Sequence, residues 1–226
     1  ANIAIARGAI VENAFGGAGA DTVTGNAANN WLMGNANIDT LHGEAGADTL
    51  DGGSSNDSLW GGSGNDSVSG GAHKDYLWGG ADDDLVSGGS GDDYLYGDGG
   101  SDTLLGGEGN DRLTGGDGND SLEGGGGADI FFADAGDDVI VGGAGADTID
   151  FSTFGSAVTV DLKAHTASGG DIGFDTIWGV EAVKATAGND VLTGDKVANT
   201  FQGLDGNDWM RGYEGGDVFK VGAGAD

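Results

Sequence analysis

The chain has 226 residues, of which 51 are glycine, with no proline and no cysteine, and 38 acidic residues against 8 Lys plus Arg give a formal net charge of -30. That charge excludes a nucleic-acid partner, which needs a basic face, and an anionic membrane surface, and it favours cations. No stretch approaches a transmembrane span, so membrane insertion is not expected.

Residues 1–15 read as a lead-in, and ANIAIARGAI lacks the apolar run of a signal peptide. From Gly16 to Asp150 one nine-residue phrase, Gly-Gly-x-Gly-x-Asp-x-U-x with U aliphatic, recurs fifteen times without insertion or deletion. GGEGNDRLTGGDGNDSLE at 106–123 states it twice. The sixth place is Asp in every unit but the second, which has Asn30, and the eighth runs from Val23 through Leu113 and Leu122 to Ile149.

Residues 151–184 interrupt the phrase with an alternating AVTVDL, a GGD turn at 169–171 and apolar Ile172, Phe174 and Ile177. This stretch is too β-branched for a linker. It reads as two irregular coils that continue the solenoid. The phrase returns over 185–226, with Asp190, Asn199, Asp208, Asp217 and Asp226 at the sixth place. Val11–Asp21 aligns with Val180–Asp190, which puts Glu12 and Glu181 at the sixth place just before each array. The chain stops part-way through a repeat and is expected to be a piece of a larger protein.

A three-residue strand cannot pair within nine residues, but it can stack. If two units form one coil, each pairs in parallel with the unit eighteen residues on. One edge then carries Asp21, Asp39, Asp57, Asp75, Asp93, Asp111, Asp129 and Asp147. The other carries Asn30, Asp48, Asp66, Asp84, Asp102, Asp120 and Asp138. Parallel strands lie about 5 Å apart. Neighbouring carboxylates at that distance repel by about 0.8 kcal/mol in water and about 3 kcal/mol at an effective dielectric near 20. One buried aliphatic per phrase, worth about 1.5–3 kcal/mol, hardly offsets the ordering of nine glycine-rich residues.

Calcium answers both problems, because it is hard and accepts carboxylate and carbonyl oxygens together. The expected ligands are these sixth-place side chains with Asp190, Asp208 and Asp217. Carbonyls at the first and third places of the best-matched loops join them: Gly16 and Ala18, Gly61 and Ser63, Gly88 and Ser90, Gly106 and Glu108, Gly115 and Asp117, Gly124 and Gly126, Gly142 and Ala144. With no thiol and three histidines, zinc and copper are poorly served. The loops 25–30, 34–39, 70–75, 79–84 and 133–138 depart from the phrase and are expected to bind more weakly; Lys74 also puts a cation near a site.

The phrase, its register and the lead-ins resemble the RTX (repeats-in-toxin) family of secreted bacterial proteins. The resemblance implies an all-β, right-handed parallel β-roll with calcium between turns. It implies export of an unfolded chain by type I secretion machinery and an extracellular location, with folding once calcium is met. NIAIARGAIVENAFGGAGAD followed by GNAANN is similar to the point where serralysin-type metalloproteases pass from the catalytic domain into the roll, so an N-terminal catalytic domain is an expected partner. This chain has no HExxH motif and is read as non-enzymatic. The alternative is the assembly region of a surface-layer, filament or adhesin protein.

The ninth place of alternate units gives His42, Trp60, Trp78, Tyr96, Thr114 and Phe132 on one outer face, flanked by Tyr76 and Tyr94 at the seventh. They read as a cross-strand ladder or as a docking face for a domain, a second copy or a saccharide. His165, Asp161 and Ser168 share the interruption, but no nucleophile elbow accompanies them. The glycine loops open no helix, so they are not phosphate cradles.

Overall fold

The computed structural model describes residues 2–4 and 12–224. Lead-in residues 5–11 and Asp226 lie outside them. The described chain is a parallel β-solenoid of about 12 turns, with two sheets of 12 and 13 strands and no helix. Each turn adds one strand to each sheet, and partners are eighteen residues apart, as in Leu95↔Leu113 and Leu104↔Leu122.

The phrase dictates this shape. Strand side chains alternate in direction, so the seventh and ninth places face out and the eighth faces in. Leu41, Leu59, Leu77, Leu95 and Leu113 are buried in one sheet, facing Leu32, Leu50, Val68, Val86 and Leu104 of the other. The core is one aliphatic side chain thick from each sheet.

The strands are longer than the three residues expected. Most span six, from the seventh place through the third place of the next phrase, as in Arg112–Asp117 and Ser121–Gly126. Glycine at the first place can turn inward without a side chain, so the ladder runs on through what reads as loop. Only the fourth to sixth places turn the corner.

The interruption differs from two parallel coils. The first sheet gains one strand there, Ala182–Lys184, which continues the register Ile149↔Val183↔Phe201. The second gains three: Gly173–Trp178, Thr166–Gly169 and Val158–Asp161, joined antiparallel in that spatial order. Its outer members stay parallel to the stack, through Ile140↔Ile177 and Val160↔Leu192. The stretch is 34 residues long, two short of four phrases, and tight antiparallel turns use fewer residues per strand than a nine-residue phrase. His165, at φ 62°, sits in the first turn, and the GGD turn lies in the second.

Candidate metal centre

The two corners of the solenoid carry two columns of sixth-place side chains, and the columns are buried. Asp39, Asp57, Asp75, Asp93, Asp111, Asp129 and Asp147 are 0% exposed. Asp21, Asn30, Asp48, Asp66, Asp84, Asp102, Asp120 and Asp138 are also buried, as are Asp190 and Asp208. Asp217 is half-buried.

One oxygen of each carboxylate is held by the preceding turn. Oδ1 of Asp57, Asp75, Asp93, Asp111 and Asp129 accepts the backbone N–H of the Asp eighteen residues earlier at 2.7–2.8 Å. On the other edge Oδ1 of Asp48 accepts the Asn30 N–H, and Asp66, Asp84, Asp102, Asp120 and Asp138 accept from the Asp eighteen residues earlier, at 2.6–2.9 Å. Past the interruption Asp208 and Asp217 repeat the bond.

For twelve of these carboxylates the other oxygen has no hydrogen-bond partner. Oδ2 of Asp39, Asp48, Asp57, Asp66, Asp75, Asp84, Asp93, Asp102, Asp111, Asp120, Asp129 and Asp147 is buried without a hydrogen bond. An unpaired buried carboxylate oxygen is costly, and here the cost recurs down both columns. Each Oδ2 faces the first glycine of its own loop. A Cβ on Gly106 would lie 2.5 Å from Asp111 Oδ2 and 2.5 Å from the Gly124 carbonyl oxygen of the next turn. Gly61 and Gly88 line equivalent spaces, as does Gly16 beside Asp21. A carboxylate oxygen and a carbonyl oxygen thus converge where glycine leaves room. Oxygen donors without thiol or imidazole suit calcium. Of the expected third-place carbonyls, Ser63, Ser90, Glu108, Asp117, Gly126 and Ala144 each accept a backbone N–H from the turn before, which leaves a second lone pair on each.

Burial, rather than repulsion between stacked carboxylates, is the larger electrostatic cost. It pushes the Asp75 carboxyl up to about 8, and Asp84 and Asp111 up to about 7. Asp48, Asp57, Asp66, Asp93 and Asp120 rise to about 6 for the same first reason. The backbone N–H bond pulls each the other way, and for Asp75 the neighbours Asp93 and Asp57 contribute less than either. A bound cation would restore the ionised form.

Sequence reasoning missed Asp175 and one departure from this arrangement, and it put Glu181 at a sixth place without counting it among the ligands. Oδ1 of Asp175 accepts the Asp138 N–H at 3.2 Å, and Glu181 Oε2 accepts the Asp147 N–H at 3.0 Å. The columns therefore enter the interruption. Asp175-Thr176-Ile177 repeats the sixth-to-eighth pattern, a signal that an unbroken count of nine conceals. The departure is Asp134, whose carboxylate joins those of Asp120 and Asp138. Lys74 keeps its charge within reach of the column, where it pulls the Asp93 carboxyl down. Its Nζ stands 4.3 Å over the Tyr94 ring on the outer face.

In the departing loops the fourth-place residues Asn37, His73 and Asp82 take φ of 71–80°. Asn, Asp and His tolerate this better than other side chains, so these loops keep their path. On the outer face, Trp60 and Trp78 stack at 4.6 Å and 2°, with His42 and Tyr96 extending the column and Tyr76–Tyr94 beside it at 4.9 Å. Their faces stack on one another down the sheet, as a cross-strand ladder does. His165 stacks on Trp178 at 3.8 Å and lines a cavity of 360 Å³ with Lys163, Asp195, Lys196, Tyr213 and Glu214. Asp161 Oδ1 accepts the Ala164 N–H. No triad forms from them.

A search of the curated proteins returns no match. A family model four copies long, the RTX calcium-binding nonapeptide repeat, matches residues 11–41, 33–68, 69–104, 96–131, 105–140, 123–152, 178–196 and 197–226. The matched segments take in both carboxylate columns with their facing glycines. The chain belongs to the RTX calcium-binding nonapeptide repeat family and is a calcium-binding β-solenoid.

Proposed function

We propose that this chain is a calcium-triggered folding module of a secreted bacterial protein. It passes unfolded through a type I secretion channel while calcium is scarce. Outside the cell, calcium binding becomes folding free energy. The folded roll then stabilises the polypeptide it is joined to, a catalytic domain of serralysin type preceding the lead-in. The chain itself contributes no catalytic group. The observation that carries this reading is the double column of buried Oδ2 atoms without partners, which makes the calcium-free fold expensive.

Calcium titration followed by circular dichroism and calorimetry tests it. The chain should be unfolded in excess chelator at neutral pH and bind many ions as it folds. A folded spectrum in chelator would sink the reading, and a stoichiometry of two or three ions would refute ligation along both edges.

A second reading, self-association in a surface-layer, filament or adhesin protein, draws support from Trp31, Trp178, Trp209 and Phe174. These are 46–70% exposed on the second sheet. Light scattering at saturating calcium separates the two, since a monomer at high concentration favours the folding module alone.

A further inference from the structure

Asp134 stands at the second place of ADAGDD (133–138), where neighbouring phrases have glycine. Gly107, Gly116 and Gly125 at that place adopt φ of 102–114°. Asp134 does not take a positive φ, and its strand stops early, at Ile130–Phe132, while Arg112–Asp117 before it runs three residues further. The backbone leaves the regular strand at Asp134 and rejoins the stack at Ala135, which bridges Asp117; the half-buried side chain turns toward the preceding turn, where Asp134 Oδ2 accepts the Gly116 N–H at 2.7 Å.

That position faces the column. Asp120 is 3% exposed, and its Oδ2, which has no hydrogen-bond partner, lies against Gly115, the residue beside Gly116. Carboxylate oxygens of Asp120, Asp134 and Asp138 all lie within 4.8 Å of one another, the one such group of three among the described residues. Asp98 supplies an internal contrast. It too occupies a second place, in GDGGSD (97–102) on the same edge, but it keeps φ 73° and is exposed.

We propose that Asp134 is a third carboxylate ligand of a calcium site between loops 115–120 and 133–138, and that the array fills this site first. The proposal rests on the calcium-binding reading above. Calcium affinity rises with the number of charged ligands; a site with three carboxylates therefore fills before sites with two. A loop that looks degenerate by its sequence is then the strongest in the array, and the point from which ordering spreads to adjacent turns.

Competition between the full-length chain and a chromophoric chelator, with calcium as the only added metal, tests this. The wild-type chain should hold one ion roughly tenfold more tightly than the rest. Asp134→Gly, which restores the residue of neighbouring loops, should abolish that tight class, while Asp98→Gly should leave it in place. Asp134→Asn provides the same reading with the side chain's shape kept, should the glycine variant not fold. A tight class that survives both Asp134 variants, or that Asp98→Gly removes equally, overturns the proposal. A wild-type chain that takes up calcium without a distinct tight class also overturns it, whereas one that takes up none defeats the calcium-binding reading itself.

Discussion

The uninterrupted array over 16–150 and the irregular stretch over 151–184 solve the same corner problem with different backbones. In the array every strand is parallel and every corner repeats. In the interruption two strand junctions run antiparallel, yet Asp175 and Glu181 still offer carboxylate oxygens to the N–H groups of Asp138 and Asp147. The ladder's direction is dispensable, while carboxylate acceptors for the sixth-place N–H groups are supplied up to the break, at Asp138 and Asp147, and after it, at Asp190 and Asn199. The solenoid is defined as much by its carboxylate columns as by its strands.

The widest gap between the two regions should open with pH in the absence of calcium. Carboxyls raised in the fold to between about 6 and 8, against about 4 in an unfolded chain, lend stability below pH 4. They withdraw it as the pH climbs through their folded values. Chelator-treated protein should therefore gain β-structure on acidification toward pH 4 and lose it by pH 8, as followed by circular dichroism. With calcium present the trend reverses, and the calcium midpoint should rise as the pH falls from 8 to 5. A calcium-free chain equally unfolded at both pH values would contradict the burial account.

Asp175→Asn combined with Glu181→Gln bears on the junction directly. Both keep a hydrogen-bond acceptor and remove charge. Calcium-induced folding should then split into two transitions, the second array requiring several-fold more calcium than the first. A single unshifted transition would mean that the columns do not couple across the break.

A smaller effect should separate two glycines. At Gly106→Ala the new methyl enters the space between Asp111 Oδ2 and the Gly124 carbonyl, and the calcium stoichiometry should drop by one. At Gly155→Ala, where nothing lies within 4 Å, stability should stay within about 0.5 kcal/mol.

A change smaller than that at Gly106→Ala is expected at Trp78→Ser, which opens the outer ladder. It should cost about 1 kcal/mol without altering calcium stoichiometry. Loss of self-association at an unchanged calcium midpoint would instead assign the face to docking.

Much of this organisation was legible in the phrase. Eighth-place Leu95 and Leu113 pair at the expected eighteen residues, and Asp93 and Asp111 fall into one column, because period and parity leave no other register. Strand length was not legible, since Gly115, Gly116 and Asp117 look like loop while their backbone stays in the ladder. The antiparallel strands were hidden because alternation in AVTVDL marks a strand and says nothing of its direction. The loop 133–138 reads as a weak departure because a pattern scores a missing glycine, whereas the meaning of Asp134 lies in the oxygens of Asp120 and Asp138 beside it.

The bond from each sixth-place N–H to the carboxylate one turn later points the same way throughout the stack. A cut through the array leaves unlike surfaces. Along the sixth-place columns the N-terminal piece ends in bare N–H donors and the C-terminal piece begins with bare carboxylate acceptors, while the strand edges carry both kinds of group. Two such surfaces fit each other, and neither fits its own copy. Fragments of this solenoid can extend one another only head to tail, so any fibre built by continuing the stack would have a polarity written in its hydrogen bonds.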